Sequence, residues 1–524
     1  MRRGASTSAR RLPVGTALGA VLAAALLLPA QASADPTALT PPVIPGVAAL
    51  PGPIAAPATP APDMGALKTK PDIGVPGTAY RLSGSGLPAD KDVSIVWNTA
   101  NVTWVVDPRP DSVDYLGRKA EKVGVVIAHA RTDAAGAFSV ALEAPRDFGG
   151  IHDIYAVVDG VQVAKGGFLI ARQASMTPKK GPVGTMITLT YSGLGSSLYE
   201  GGASLQYDNH YVGAVMANWT RGVAKVRFRA AGPVGRHFVQ ITDAISFDYL
   251  NIEQSPIPWA TGHRFMFTVT KDRGLPRQRI DWPVSVAPTL DARTTLSAGG
   301  LAAGSSATAR LSSRSGPVLS KVGVSATGLT AGAAVDLVWS TVVGNRVNCT
   351  GTCWSFVSVP LGKATAAADG SLTTSVSVPD GLGGWHVIQL MQGGEVMAQV
   401  PYFVKRSVVG ISALRLKAGQ PFTVHLKGLG WTQLDNTIAV DYDNSYIGYG
   451  CGFNSNGDVV MNFVATGRPG THLIDMYPLL YTQQPSYPNT PYGMVPILTY
   501  ARDIPGLALG YRLPAIRLAI EVVK

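Results

Sequence analysis

The chain has 524 residues, a formal charge of +11 and only 15% charged residues, with 59 glycines and 38 prolines. That length exceeds one hydrophobic core and implies several domains, and the Gly/Pro content implies many turns between short strands. The basic excess lacks any Lys/Arg cluster interleaved with aromatics, which excludes a nucleic-acid-binding stripe.

Residues 1–34 read as a cleaved export signal. Arg2, Arg3, Arg10 and Arg11 precede an apolar run from Val14 to Ala30, and Ala32-Ser33-Ala34 supplies small residues before Asp35. The run is short for a bilayer span, which takes about 20 residues. Removing four arginines and no acid lowers the formal charge from +11 to +7. No apolar span is expected in the mature chain. Secretion is expected, with retention at the cell wall as an option. Residues 35–67, rich in Pro and Ala, read as a semi-extended stalk or disordered linker.

Next comes an internal repeat. Residues 184–237 match 419–472 at an offset of 235 without a gap. Tyr207-Asp208-Asn209-His210-Tyr211 falls on Tyr442-Asp443-Asn444-Ser445-Tyr446, and Gly193-Leu194 on Gly428-Leu429. Gly149, Gly150 and His152 fall on Gly383, Gly384 and His386 at an offset of 234. The order predicted is A-B-A′-B′: 68–172 (A), 173–272 (B with a tail), a joint at 273–313, 314–405 (A′) and 406–524 (B′ with a tail). Alternating strands end in Trp97, Tyr207, Trp339 and Tyr442, and each module closes on a Gly-x-His strand at His152, His237, His386 and His472. Period-two alternation without a helical stripe predicts an all-β chain of tandem immunoglobulin-like β-sandwiches.

The Gly-Leu openings, the segment Asp133-Ala-Ala-Gly-Ala-Phe138 and the closing Gly-x-His resemble bacterial immunoglobulin-like and IPT-like modules of actinobacterial type. The resemblance implies spacers, adhesins, binding modules or companions of enzymes. It implies no catalytic residue.

Candidate binding residues are Tyr207, Asp208, Asn209 and Tyr211 with their counterparts Tyr442, Asp443, Asn444 and Tyr446. Asp-Asn suits a tight turn, and the flanking tyrosines suit a flat binding face for sugars or proteins. Trp104 and Trp354 lie where A and A′ diverge and are further candidates. Cys349 and Cys353 flank a three-residue loop beside Trp354, and a disulfide between them is expected in an exported chain, with Cys451 left over. Tyr487, Tyr492, Tyr500 and Trp259 sit in the tails. The four histidines read as sandwich corners. Their spacing, and that of the cysteines, matches no metal site, and no cofactor is expected. No nucleophile elbow, zincin or Walker pattern occurs. The function expected is non-catalytic binding or adhesion at or beyond the cell surface, toward a wall glycan or an extracellular protein. A structural subunit that self-associates is the alternative, and a polysaccharide-active enzyme or its accessory module the third.

Overall fold

The structure, a computed structural model, describes residues 36–43, 49–109, 112–197, 200–242, 262–288, 299–344, 354–480 and 495–524. The export signal, Cys349, Cys353, Trp259, Tyr487 and Tyr492 lie outside them. The described chain is all-β apart from one helical turn at Pro505–Ala508.

Four sandwiches follow one another. The first is a nine-stranded sheet folded on itself. Strand Thr59–Lys70 joins its two layers, pairing in parallel with Val161–Ile170 at its start and antiparallel with Ala79–Gly84 at its end. The other three each oppose a three-stranded sheet to a larger one of five or six strands. In the second, Gln173–Thr177, Met186–Ser192 and Val223–Arg229 face a sheet ending in Gly202–Tyr207 and His210–Met216. In the fourth, Ser407–Ile411, Pro421–Lys427 and Val459–Val464 face a sheet ending in Thr437–Tyr442 and Ser445–Cys451. Register repeats as well as order. Met186 opposes Arg229 as Pro421 opposes Val464, and a bulge follows Leu205 as one follows Val440.

The Pro/Ala-rich stretch read as a stalk lies along the first sandwich in its described parts. Leu39 is buried beside Trp104, Ile54 bridges Val125, and Leu67 enters the core. Small residues let this segment close on a neighbouring strand: a Cβ on Gly52 would come within 2.1 Å of the Val126 carbonyl oxygen. The joint also contributes a strand, Arg279–Asp281, which pairs with Ala515–Arg517 of the fourth sandwich.

The first sandwich meets the second, and the third meets the fourth, through the repeated glycines. Gly149 donates to the Leu194 carbonyl (2.9 Å) and Gly383 to that of Leu429 (2.8 Å). A Cβ on Gly149 would lie 1.7 Å from the Gly193 oxygen, and one on Gly383 1.8 Å from the Gly428 oxygen, so only glycine admits this approach. Asp147, fully buried, adds an ion pair to Arg221 (2.5 Å) and accepts the Trp97 indole N–H (2.9 Å).

The cores are not separate. Leu473, Tyr477, Leu498, Tyr500, Ala515 and Ala519 of the fourth sandwich complete the core of the second. A further core joins Trp104 and Tyr115 of the first sandwich to Trp219 of the second, Phe403 of the third and Leu507 and Tyr511 of the fourth. It forms because Asp92–Arg109 and Ser112–Arg131 make a hairpin long enough to reach past its own sandwich.

Candidate interaction surface

The Asp-Asn pairs form two-residue hairpin turns. Asp208 and Asn209 take φ of 50° and 65°, and Asp443 and Asn444 take 49° and 63°. Both centres of a type I′ turn need positive φ, which Asn and Asp tolerate best among non-glycine residues. Asp208 also holds the module histidine: His237 Nδ1 lies 2.5 Å from its carboxylate, and the Phe238 N–H donates to it at 2.7 Å. Asp443 does the same with His472 (2.5 Å) and Leu473 (2.8 Å).

The tyrosines before the turns serve the fold. Tyr207 is 2% exposed, stacks on His237 at 5.5 Å and donates its hydroxyl to the Ala231 carbonyl (2.9 Å). It therefore presents no ring face to a ligand. Tyr442 is half-buried, stacks on His472 at 5.6 Å and donates to Thr466 O (2.9 Å). In the first and third sandwiches, Trp97 and Trp339 stack on His152 and His386 at 4.4 and 4.6 Å. Each histidine Nε2–H donates to the carbonyl four residues earlier: Phe148, Pro233, Leu382 and Arg468 at 2.8, 2.7, 2.9 and 2.9 Å. The strand-end aromatic and the Gly-x-His motif are thus two halves of one corner.

Burial pushes the His386 ring down to about 4, from an ordinary histidine value near 6.5. The unfolded chain takes up this proton below about pH 6.5 and the folded chain only near pH 4, so stability falls as pH drops through that window. The expected loss is roughly 3 kcal/mol. Urea midpoints of the wild type and His386→Gln at pH 7 and about pH 4.5 test it, the wild type losing more. At His472 burial lowers the value, but the hydrogen bond and charge of Asp443 outweigh it and the net shift is upward. Its contribution is therefore full below about pH 6.5 and is lost as pH rises through the raised value.

The two turns are not two separate sites. His210 Nδ1 lies 3.5 Å from Ser445 Oγ, and the Asn444 amide donates to the Arg229 carbonyl (2.8 Å). Tyr211 and Tyr446 both face Asp441, and burial followed by that carboxyl raises both phenols. Behind the turns, Asp441, Asp475, Arg517 and Arg279 stand opposite one another on four neighbouring strands. Arg229 of the second sandwich is 3% exposed and reaches Asp475 at 2.6 Å, while Arg517 reaches it at 3.2 Å. Both are ion pairs rather than linear hydrogen bonds. Arg517 also meets Asp281 (3.3 Å) and donates to the Tyr477 hydroxyl (2.7 Å). Burial, then the Asp475 charge, raises Asp441 well above the usual carboxylate range.

Trp104 and Trp354 are buried, not presented on loops. Trp104 is fully enclosed and donates its indole N–H to Asp503 (2.8 Å), which burial pushes up to about 6. Trp354, 3% exposed, packs with Val342, Leu382 and Trp431. The expectation of a disulfide-bonded protein is corrected: the described residues contain no disulfide, and the described cysteine, Cys451, is a free thiol pushed up to about 12 by burial. Tyr500 is likewise buried, in the shared core.

The fourth sandwich has an open side, and Tyr442 and Ser445 of the Tyr-Asp-Asn-x-Tyr motif line one end of it. The edge strands Ser445–Cys451 and Val459–Val464 of the fourth sandwich flank a trough made of two adjoining hollows of about 380 and 430 Å³. Ile447, Tyr449, Val460 and Val464 along it are 53%, 44%, 54% and 52% exposed. Each strand ends its sheet. Among the described residues no group of three or more His, Cys, Asp or Glu could hold a metal ion. No described helix is long and apolar enough to cross a membrane.

No family model matches the chain, and no curated protein matches it. Solved structures match it at low identity and low TM-score. The ICAM-5 D1-D4 ectodomain fragment is 11% identical over 88% of this chain and 100% of its own, with a TM-score of 0.19. A Salmonella alpha-2-macroglobulin is 11% identical over 93% of this chain and 36% of its own (TM-score 0.17). Murine CEACAM1b is 11% identical over 39% of this chain and 98% of its own (TM-score 0.14). None of these ties the chain to a bacterial or actinobacterial group. The described residues form an all-β protein of several sandwiches.

Proposed function

We propose that this chain is a non-catalytic, exported binding protein, built as an A-B-A′-B′ duplication, that takes a protein partner in the trough of its last sandwich. The trough carries the reading. Large apolar side chains line both of its edges, and both edges are terminal strands, which can pair with an added strand. Exposed aliphatic side chains on both edges, Ile447, Val460 and Val464, suit a protein surface better than a glycan, which needs many hydroxyl-bonding groups around its rings. The repeated registers and the repeated glycine junctions support the duplication. The turn tyrosines act in this reading as corner residues.

The test is retention of the purified chain on extracellular and cell-surface fractions. Retention is expected to survive glycan digestion of the fraction, to fail after protease treatment, and to fall at least about tenfold in Ile447→Glu/Val464→Glu. Retention that ignores the double variant, or that glycan digestion removes, overturns the proposal.

A further inference from the structure

The second sandwich has the same open side as the fourth, but there it is filled. Its edge strand His210–Met216 is continued by Pro496–Leu498, through Ala214 N–H to Pro496 O (2.8 Å) and Leu498 N–H to Ala214 O (3.0 Å). Its other edge strand, Val223–Arg229, lies under the outer face of the fourth sandwich's large sheet: Arg517 donates to the Arg227 carbonyl (3.1 Å) and Asn444 to that of Arg229 (2.8 Å). Val212, Ala214 and Arg229 are 0%, 0% and 3% exposed. Their register counterparts in the fourth sandwich, Ile447, Tyr449 and Val464, are 53%, 44% and 52% exposed.

The outer face that covers the Val223–Arg229 edge also occurs twice. In the fourth sandwich it carries the cross-strand pairs Leu473–Ala519 and Asp475–Arg517. In the second, the same places hold Phe238–Met266 and Gln240–Arg264. Leu473 and Ala519 are 1% and 4% exposed, whereas Phe238 and Met266 are 59% and 45% exposed. The molecule therefore contains one completed contact between a face and a trough, one unused face and one unused trough.

The charges changed on both sides together. Within the molecule, Arg229 in the trough meets Asp475 on the face. In the unused pair Val464 replaces Arg229, Gln240 replaces Asp475 and Gln206 replaces Asp441. Loss of one side alone would bury an unpaired charge on docking. Loss of both leaves Val464 at the trough edge opposite a face of Phe238, Met266 and Gln240, whose remaining charge, Arg264, donates to the Gln240 side-chain oxygen (2.7 Å).

We infer that the trough's partner is a second copy of this chain: the Phe238/Met266 face of one molecule docks in the Ile447/Val464 trough of the next. This rests on the reading of the trough as a protein-binding site and names the occupant. The contact is heterologous, so each molecule keeps one free face and one free trough, and the association propagates head to tail until it closes or runs on as a filament.

Sedimentation velocity across a concentration series tests it. The wild type is expected to pass through dimer to larger species. Phe238→Glu/Met266→Glu and Ile447→Glu/Val464→Glu are each expected to stay monomeric, with association weakened at least about 30-fold. Mixed in equal amounts, the two variants keep one intact face and one intact trough, so they are expected to form 1:1 dimers and nothing larger. All four positions are exposed, and unchanged melting checks that the variants fold. Tyr449→Glu is the substitute lesion if the trough variant melts early. Three results would each sink the inference: a wild type monomeric to about 100 μM, association that survives either double variant, or a mixture that fails to pair. If the wild type is monomeric while the trough variant still loses retention on cell-surface proteins, the protein-binding reading stands and only the identity of the partner falls.

Discussion

Asp475→Gln is expected to lower the stability of the chain by about 3–5 kcal/mol, and adding Arg229→Val is expected to restore more than half of that loss. Asp475 is 2% exposed and lies between Arg229 at 2.6 Å and Arg517 at 3.2 Å. Arg517 retains Asp281 and the Tyr477 hydroxyl after the change, but Arg229 retains no carboxylate. Among the described residues it is then a buried guanidinium held by a carbonyl, that of Leu518. Removing the second charge relieves this, because Gln and Val at these positions reproduce the Gln240 and Val464 that stand in the unused face and trough. Arg229→Val alone is expected to cost less than Asp475→Gln alone, since Arg517 still balances the carboxylate. Urea midpoints of the four members of the cycle measure the coupling. A double variant no more stable than Asp475→Gln would mean that the two side chains do not act on each other.

How much of this was legible in the sequence depended on which face of a strand was in question. Alternation in Val93-Ser-Ile-Val-Trp97 and Ala203-Ser-Leu-Gln-Tyr207 marks the inward face, and those inward residues are the cores of their sandwiches. The gap-free match of 184–237 to 419–472 reappears as identical register, bulge included. The histidines, read as corners, stack on the aromatics that end the alternating strands. The outward faces were not legible in the same way, because one sandwich gives no sign of what another lays against it. Tyr207 looked like a binding residue because aromatics beside a turn are often exposed, and only the stack on His237 places it inside. Trp104 looked exposed because the divergent segment read as a loop, whereas it is the far end of a long hairpin that reaches the other sandwiches.

A signal for the shared core was nonetheless present. Ala515-Ile-Arg-Leu-Ala-Ile520 does not alternate, and a strand buried on both faces reads as a nearly continuous apolar run. Its register partner in the second sandwich, His263-Arg-Phe-Met-Phe-Thr-Val269, keeps a polar outward residue at each end and is exposed on that face. Comparing the two copies strand by strand, rather than only matching them, would have marked the fourth sandwich as the one whose outer face is covered.

The same logic of paired replacement governs the junction between the first and second sandwiches, where Asp147→Gly is expected to cost about 3–5 kcal/mol. The Asp147 carboxylate accepts from Trp97 Nε1 (2.9 Å) and the Phe148 N–H (2.8 Å) and pairs with Arg221 at 2.5 Å. Arg221 is 6% exposed, and its other contacts among the described residues are the Thr99 hydroxyl (2.8 Å), the Ala100 carbonyl (3.2 Å) and the Phe148 ring (5.0 Å), so it loses its carboxylate partner. The third and fourth sandwiches place neutral residues at these two positions and keep their ion pair, Lys427 with Asp380, at the partly exposed edge of the junction. Gly381 stands at the place of Asp147 and Asn456 at that of Arg221, with the Asn456 amide 3.4 Å from where a Cβ on Gly381 would be. Arg221 and Asn456 share positive φ, 47° and 51°, a conformation that costs arginine about 1–2 kcal/mol and asparagine less. Asp147→Gly/Arg221→Asn therefore removes a buried charge and relieves the backbone in one step. It is expected to recover at least about 2 kcal/mol of the single variant's loss, read as a urea midpoint between those of the single variant and the wild type. Limited proteolysis at the junction gives an independent readout: faster cleavage is expected in Asp147→Gly, and near wild-type cleavage in the double variant. Equal destabilisation in the single and double variants would show instead that Asp147 acts through Trp97 and its own backbone, with Arg221 a bystander.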